Sequence, residues 1–180
     1  MPSQTATGGV QWANFWYFDG VHMELQSGYI NAVVSPDLVV AGGGTGDDGQ
    51  LMPSTLWGVP FNLESGYLTA AFNDGLQVEV QGYVHGNLIY DGFYSVDPTS
   101  PSFIQFGYLG VDEVRFYSSG GTQHIGFSHS ADFFVLDNLS VTVVPEPSSF
   151  ALSMLSIGLL AVLRRRKMNS QANQGMRDPK

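Results

Sequence analysis

A single carboxylate, Asp137, interrupts the apolar run FFVLDNLSVTVV (133–144). Strict alternation along a strand puts it on one face with Phe133, Val135, Leu139, Val141 and Val143. An acid on such a face must be paired, hydrogen-bonded or bound to a metal, because an isolated buried charge is very costly. A bulge at Asp137–Asn138 would instead turn it outward. Seven further rings could stack on sugars: Trp12, Trp16, Tyr17, Trp57, Tyr83, Tyr90 and Tyr94. Trp12, Trp16 and Trp57 are the expected glycan-stacking set, although most rings of a β domain fill its core. His124, His129 and Asp132 form a loose cluster without zinc-site spacing, and His22 and His85 lie elsewhere. Gly44-Thr45-Gly46-Asp47-Asp48-Gly49 satisfies G-x-G-x-x-G literally, but no helix follows and two carboxylates would repel phosphate. It reads as a solvated turn. With no Gly-x-Ser-x-Gly elbow either, no enzymatic chemistry is expected.

Charge narrows the partners. Residues 1–147 hold fifteen acidic side chains and one basic one, Arg115, which shares a strand face with Glu113. Six of the seven cations fall within residues 164–180. So acidic a body cannot release counterions from phosphates, which argues against nucleic acid. There are no cysteines, so disulfides and thiolate metal sites are excluded.

The elements that must position these residues are strands. LQVEVQGYV (76–84) alternates Leu76, Val78 and Val80 with Gln77, Glu79 and Gln81. GYLTAAF, NLIYDGFY, SFIQFGYL and EVRFYSS surround it, with turn signals at Asn73-Asp74-Gly75, Gly86-Asn87, Asp97-Pro98 and Ser119-Gly120-Gly121. VVAGGGTGDDGQ (39–50) reads as a long exposed loop, and no helical stripe precedes residue 148. The fold class is mainly β, an antiparallel sandwich over 1–144, followed by one short C-terminal transmembrane helix.

The tail is a separate device. Pro145-Glu146-Pro147-Ser148-Ser149 forms an extended linker over 145–149 that cannot continue a strand. Phe150 to Leu163 carries no charge. At ~1.5 Å per residue it covers about 21–24 Å of hydrocarbon, a little short of a comfortable span. Arg164, Arg165, Arg166 and Lys167 then hold the cationic end in the cytoplasm and leave the acidic body outside. The membrane segment and its basic stop are 150–167, and 168–180 is an expected disordered remnant.

Pro145-Glu146-Pro147, an apolar run and a basic cluster, in that order, resemble the PEP-CTERM sorting signal, also called the ice-binding protein C-terminal domain. The resemblance implies a membrane-anchored precursor recognised by exosortase, then sorted to the cell surface or the extracellular matrix. The body resembles sandwich domains of the galactose-binding or jelly-roll type. The resemblance is carried by Gly8-Gly9-Val10-Gln11-Trp12, SGYINAVVS, FNLESGYLTAAFNDGLQVEVQGYVHG, GVDEVRF and FVLDNLSV. In related carbohydrate-binding sandwiches a calcium sits near such terminal-strand acids, which would pair Asp137 with Asp19. The implied function is a non-enzymatic exported protein associated with exopolysaccharide. The alternative is a calcium-stabilised carbohydrate-binding module, with a glycan hydrolase or an ice-binding protein behind it. MPSQTATGGVQWANF has neither a basic n-region nor an apolar h-region, so a signal peptide and an opening strand are expected upstream of Met1.

Overall fold

The computed structural model describes residues 4–5, 9–46 and 49–145. The chain divides into a compact unit over Met1–Val144 and a second over Pro145–Lys180. The expected linker residues beyond Pro145, the membrane segment and the tail lie outside the described residues. Among the described residues, no helix is long and apolar enough to cross a membrane.

The elements run β1 (Gln4–Thr5), β2 (Val10–Ala13), β3 (Phe15–Asp19), α1 (Gly28–Asn31), β4 (Leu38–Gly43), β5 (Ser54–Ala70), β6 (Asn73–Asp74), β7 (Leu76–Val84), β8 (Asn87–Val96), β9 (Ser102–Ser119), β10 (Thr122–Gln123) and β11 (Phe133–Val143). All the strand pairs are antiparallel, and the main sheet follows the order β3-β4-β11-β5-β9-β7-β8, with β2 also on β5. This is the sandwich the alternation predicts.

Two long strands belong to both of its layers. The first part of β5 pairs Thr55–Gly58 with β2 and Ser54–Trp57 with Glu113–Phe116 of β9. Its later part, from Phe61 onward, pairs with β11 and with the first part of β9. Register shifts between Trp57 and Ser65 mark the bend. Gly58 permits the close approach of β2 there: a Cβ on it would lie 2.2 Å from the Gly9 carbonyl oxygen. Between the layers lies one apolar core, with Phe61, Leu63, Leu68, Phe134 and Leu136 from one side and Leu56, Val78, Val80, Val114 and Phe116 from the other. The Tyr108 hydroxyl donates to the Val80 carbonyl at 2.8 Å, tying β9 to β7. Burial raises that phenol's pKa.

A second apolar cluster covers the other face of β4 and β11. Tyr29 and Ala32 of the α1 region pack there with Val39, Ala41, Phe72 and Val135. β4 therefore lies between β3 and β11, and residues 38–43 are not the expected exposed loop. Glycine makes this burial feasible. A Cβ at Gly42 would meet the Phe134 ring at 2.9 Å and Ser54 Oγ at 2.2 Å.

The bulge considered for Asp137–Asn138 is present: the register shifts between Asp137 and Ser140, and Asn138 adopts φ 49°. It does not turn the acid outward. Phe133 and Val135 lie in the second cluster, whereas Leu139, Val141 and Val143 pack against the main core. The extra residue flips the parity of the strand, so strict alternation fails at this one place. Asp137 stays 7% exposed. Its Oδ2 accepts from the Val34 and Ser35 amides at 2.6 and 2.8 Å, and its Oδ1 from Ser35 Oγ and the Asn138 amide at 2.9 and 2.7 Å. The carboxylate thus staples the segment after α1 to β11.

Asp137→Asn would turn an amide donor toward amide donors and remove the charge that strengthens these bonds. Urea unfolding should show a loss of about 1–3 kcal/mol. The loss should be equal with calcium or with a chelator present. A loss seen only with calcium would instead assign the carboxylate to a metal.

Candidate functional site

The residues singled out from the sequence fall in three places. Trp12 sits in β2 opposite Leu56 and packs on the main core, edge-on to Phe15 at 5.0 Å, so its ring is a core component. Trp16 lines a cleft of about 230 Å³ with Phe18, Tyr29, Ala41 and Phe133, and meets Phe133 edge-on at 6.3 Å. Trp57 stands 41% exposed on the opposite part of the fold.

Asp19 and Asp137 are not brought together. β4 runs between their strands, a separation of about 10 Å across two strand spacings. Asp19 instead organises its own turn, accepting from the Val21 and His22 amides at 3.1 and 3.0 Å and pairing with His22 Nδ1 at 2.8 Å. The His22 amide, then its side chain, holds the Asp19 carboxyl below the usual carboxylate range. Among the described residues, no group of three or more His, Asp or Glu side chains converges as a metal site. His124 pairs with Asp74 at 2.7 Å and His129 with Ser128 Oγ at 2.8 Å, whereas Asp132 Oδ1 accepts from Asn73. The three are tied to different partners.

The most fully constructed polar and aromatic surface is the outward face of β8-β7-β9-β5. Alternation buries Leu76, Val78 and Val80 and turns Gln77, Glu79, Gln81 and Tyr83 out. Register places Phe93 beside Glu79 and Tyr117, and Asp91 beside Gln81, Arg115 and Thr55. The next row sets Tyr83 beside Glu113 and Trp57.

Arg115 is the centre of this face. Its Nε donates to Glu113 Oε1 at 2.6 Å, and its guanidinium lies 4.5 Å from the Tyr83 ring centroid. The Glu113 bond is the main cause raising its pKa, so the group stays charged at every working pH. The pair is half-buried, not the freely exposed pair its strand position suggests, and the ring fixes its orientation. Beside it the Tyr83 hydroxyl donates to Gln81 Oε1, and Gln81 Nε2 donates to Glu79 Oε1. Burial is the main cause that raises the Tyr83 pKa. A continuous belt of oriented polar groups results, with Phe93 (66% exposed) and Trp57 at its flanks.

The aromatic cleft has a distinct titration signature. Burial pushes the Tyr29 hydroxyl up to about 12. With an ordinary phenol near 10 in the unfolded chain, the folded state favours the neutral form. That contribution is complete below pH 10 and is lost as pH rises through about 12. Absorbance titration should show a late-ionising phenol that Tyr29→Phe removes. An unchanged curve would mean that the cleft is open to water.

Among solved structures, the chain is similar to a DUF4465 family protein from Bacteroides caccae, with TM-score 0.56 and 13% identity, covering 79% of this chain and 86% of that one. It is also similar to TmCBM61 in complex with beta-1,4-galactotriose, with TM-score 0.34 and 4% identity, covering 79% and 88%. The first likeness shows the fold alone, and the second is too distant to carry an argument. No curated protein matches the chain. Residues 143–167 match the PEP-CTERM protein-sorting motif, and this signal implies an exported, membrane-anchored precursor that exosortase processes.

Proposed function

We propose that this chain is a non-enzymatic, exported surface or matrix protein that associates with exopolysaccharide. The sorting motif over 143–167 carries the reading. In this account the apolar run 150–163 holds the precursor in the membrane, with Arg164 to Lys167 on the cytoplasmic side. Exosortase cuts near Pro145-Glu146-Pro147, and the acidic sandwich leaves with its own core. Charge distribution supports this order. The body carries one cation, and the cluster that fixes topology sits beyond the cut. A body of this composition stays soluble outside the membrane and has no electrostatic reason to remain on an anionic lipid surface.

Intact mass of the protein in membrane and extracellular fractions of its native cells tests the reading. A secreted species ending near residues 145–147 is the expected result. Replacing Pro145, Glu146 and Pro147 by alanine should abolish that species and leave an uncut chain in the membrane. A full-length chain found only in the cytoplasm would overturn the proposal.

A further inference from the structure

The outward face of β8-β7-β9-β5 has a composition that a merely solvated sheet does not require. Phe93 and Trp57 present exposed ring surface on this face, 66% and 41% exposed. Between them lies the ordered belt of Glu79, Gln81, Arg115 and Glu113. β8 and β5 are three strand spacings apart and the rows of Glu79 and Tyr83 are four residues apart, so the two rings lie about 20 Å from each other, diagonally across the face.

Two kinds of chain molecule stack on exposed rings while hydrogen-bonding to a polar belt. One is a single-stranded nucleic acid, which needs a positively charged groove to follow its phosphates. This face offers three carboxylates, Asp91, Glu79 and Glu113, against the one guanidinium of Arg115, and that guanidinium is already paired. The other is a sugar chain, whose rings present apolar C–H faces to aromatics and hydroxyl groups to carboxylates and amides. Glu79 and Glu113 accept their in-chain bonds through Oε1, which leaves the second oxygen of each to accept from a ligand hydroxyl. The same carboxylates repel uronate, sulfate or phosphate substituents.

We infer that this face is a binding platform for an uncharged polysaccharide, laid diagonally across the strands and stacked on Phe93 and Trp57, with hydroxyl groups held by Glu79, Gln81 and Glu113. This rests on the exported, exopolysaccharide-associated reading above, and supplies the surface and the ligand chemistry that reading lacks. Arg115 is a positioning residue. It orients Glu113 and covers Tyr83.

Affinity electrophoresis of the full chain in non-ionic detergent tests the inference, using gels containing dextran, barley β-glucan, galactan or the anionic polymer alginate. At least one neutral polymer is expected to retard the protein, and alginate is not. Trp57→Ala and Phe93→Ala should each weaken retardation about ten-fold. Tyr17→Ala, at an exposed ring on β3 at the other end of the sheet, should leave it unchanged. Phe93 and Tyr17 are 66% and 68% exposed, so their variants should melt near wild type, whereas Trp57 is 41% exposed and its alanine variant is compared only with a native circular dichroism spectrum in hand. Retardation by alginate alone, by no neutral polymer, or by a neutral polymer without regard to Trp57 and Phe93 would overturn the inference. Loss of a dimer in the Trp57 and Phe93 variants, with glycan retardation unchanged, would make the face a protein interface instead. Export fails or succeeds in cell fractions and platform binding in gels, so the two failures are distinguishable.

Discussion

Strands β5 and β9 serve both layers of the sandwich, and the rest of the molecule depends on their bending without breaking. Across Trp57 to Ser65 of β5, opposite Gln105 to Glu113 of β9, the register of the pair shifts. The shift lets Phe61 and Leu63 fill the same core as Leu56, and Val111 the same core as Val114 and Phe116. A straight strand of this length would carry part of its apolar set into water. The same bend fixes which residues reach the outside. Glu113, Arg115 and Tyr117 align with Tyr83, Gln81 and Glu79 because Val114 and Phe116 are pinned inward.

Three groups of aromatic side chains play different parts. Phe61, Phe116 and Phe134 are fully buried and contribute area. Trp16, Phe18, Tyr29 and Phe133 line a small cleft beside the second cluster. Trp57 and Phe93 lie on the outward face with the only cation of residues 1–147. That cation is held by a carboxylate and a ring, so it organises neighbouring acceptors more than it supplies charge. The proposed glycan association rests on these oriented carboxylates and accessible rings. In the proposed account the acidity of the body also keeps it away from anionic surfaces once the basic tail is cut off.

How much of this was legible depended on whether the determining contact was local. The period-two pattern of 76–84 is local, and it located β7 and the outward Gln77, Glu79 and Gln81 correctly. The sorting motif is linear, and its three parts could be read in order. Cross-strand register is not local, so nothing near Arg115 in sequence announced Tyr83 or Phe93. Asp91, Phe93 and Ser95 do alternate outward along β8, a weak signal that could have placed Phe93 on a polar face. Residues 39–43 resembled a loop because glycine usually marks one, yet here its missing side chain admits Phe134 and Ser54 against a buried strand. Asp137 was recognised as needing partners. Of its partners, Val34 and Ser35 lie about a hundred residues away, and the bulge that reverses strand parity beyond it cannot be read from alternation alone.

Hydrogen exchange of the protein, with and without a neutral polysaccharide that retards it in affinity gels, tests the central claim most directly. Protection confined to residues 54–58, 77–83, 88–95 and 113–119 is the predicted result, with β3 and β4 unchanged. Protection centred on the Trp16–Phe133 cleft, or none anywhere, would contradict the account.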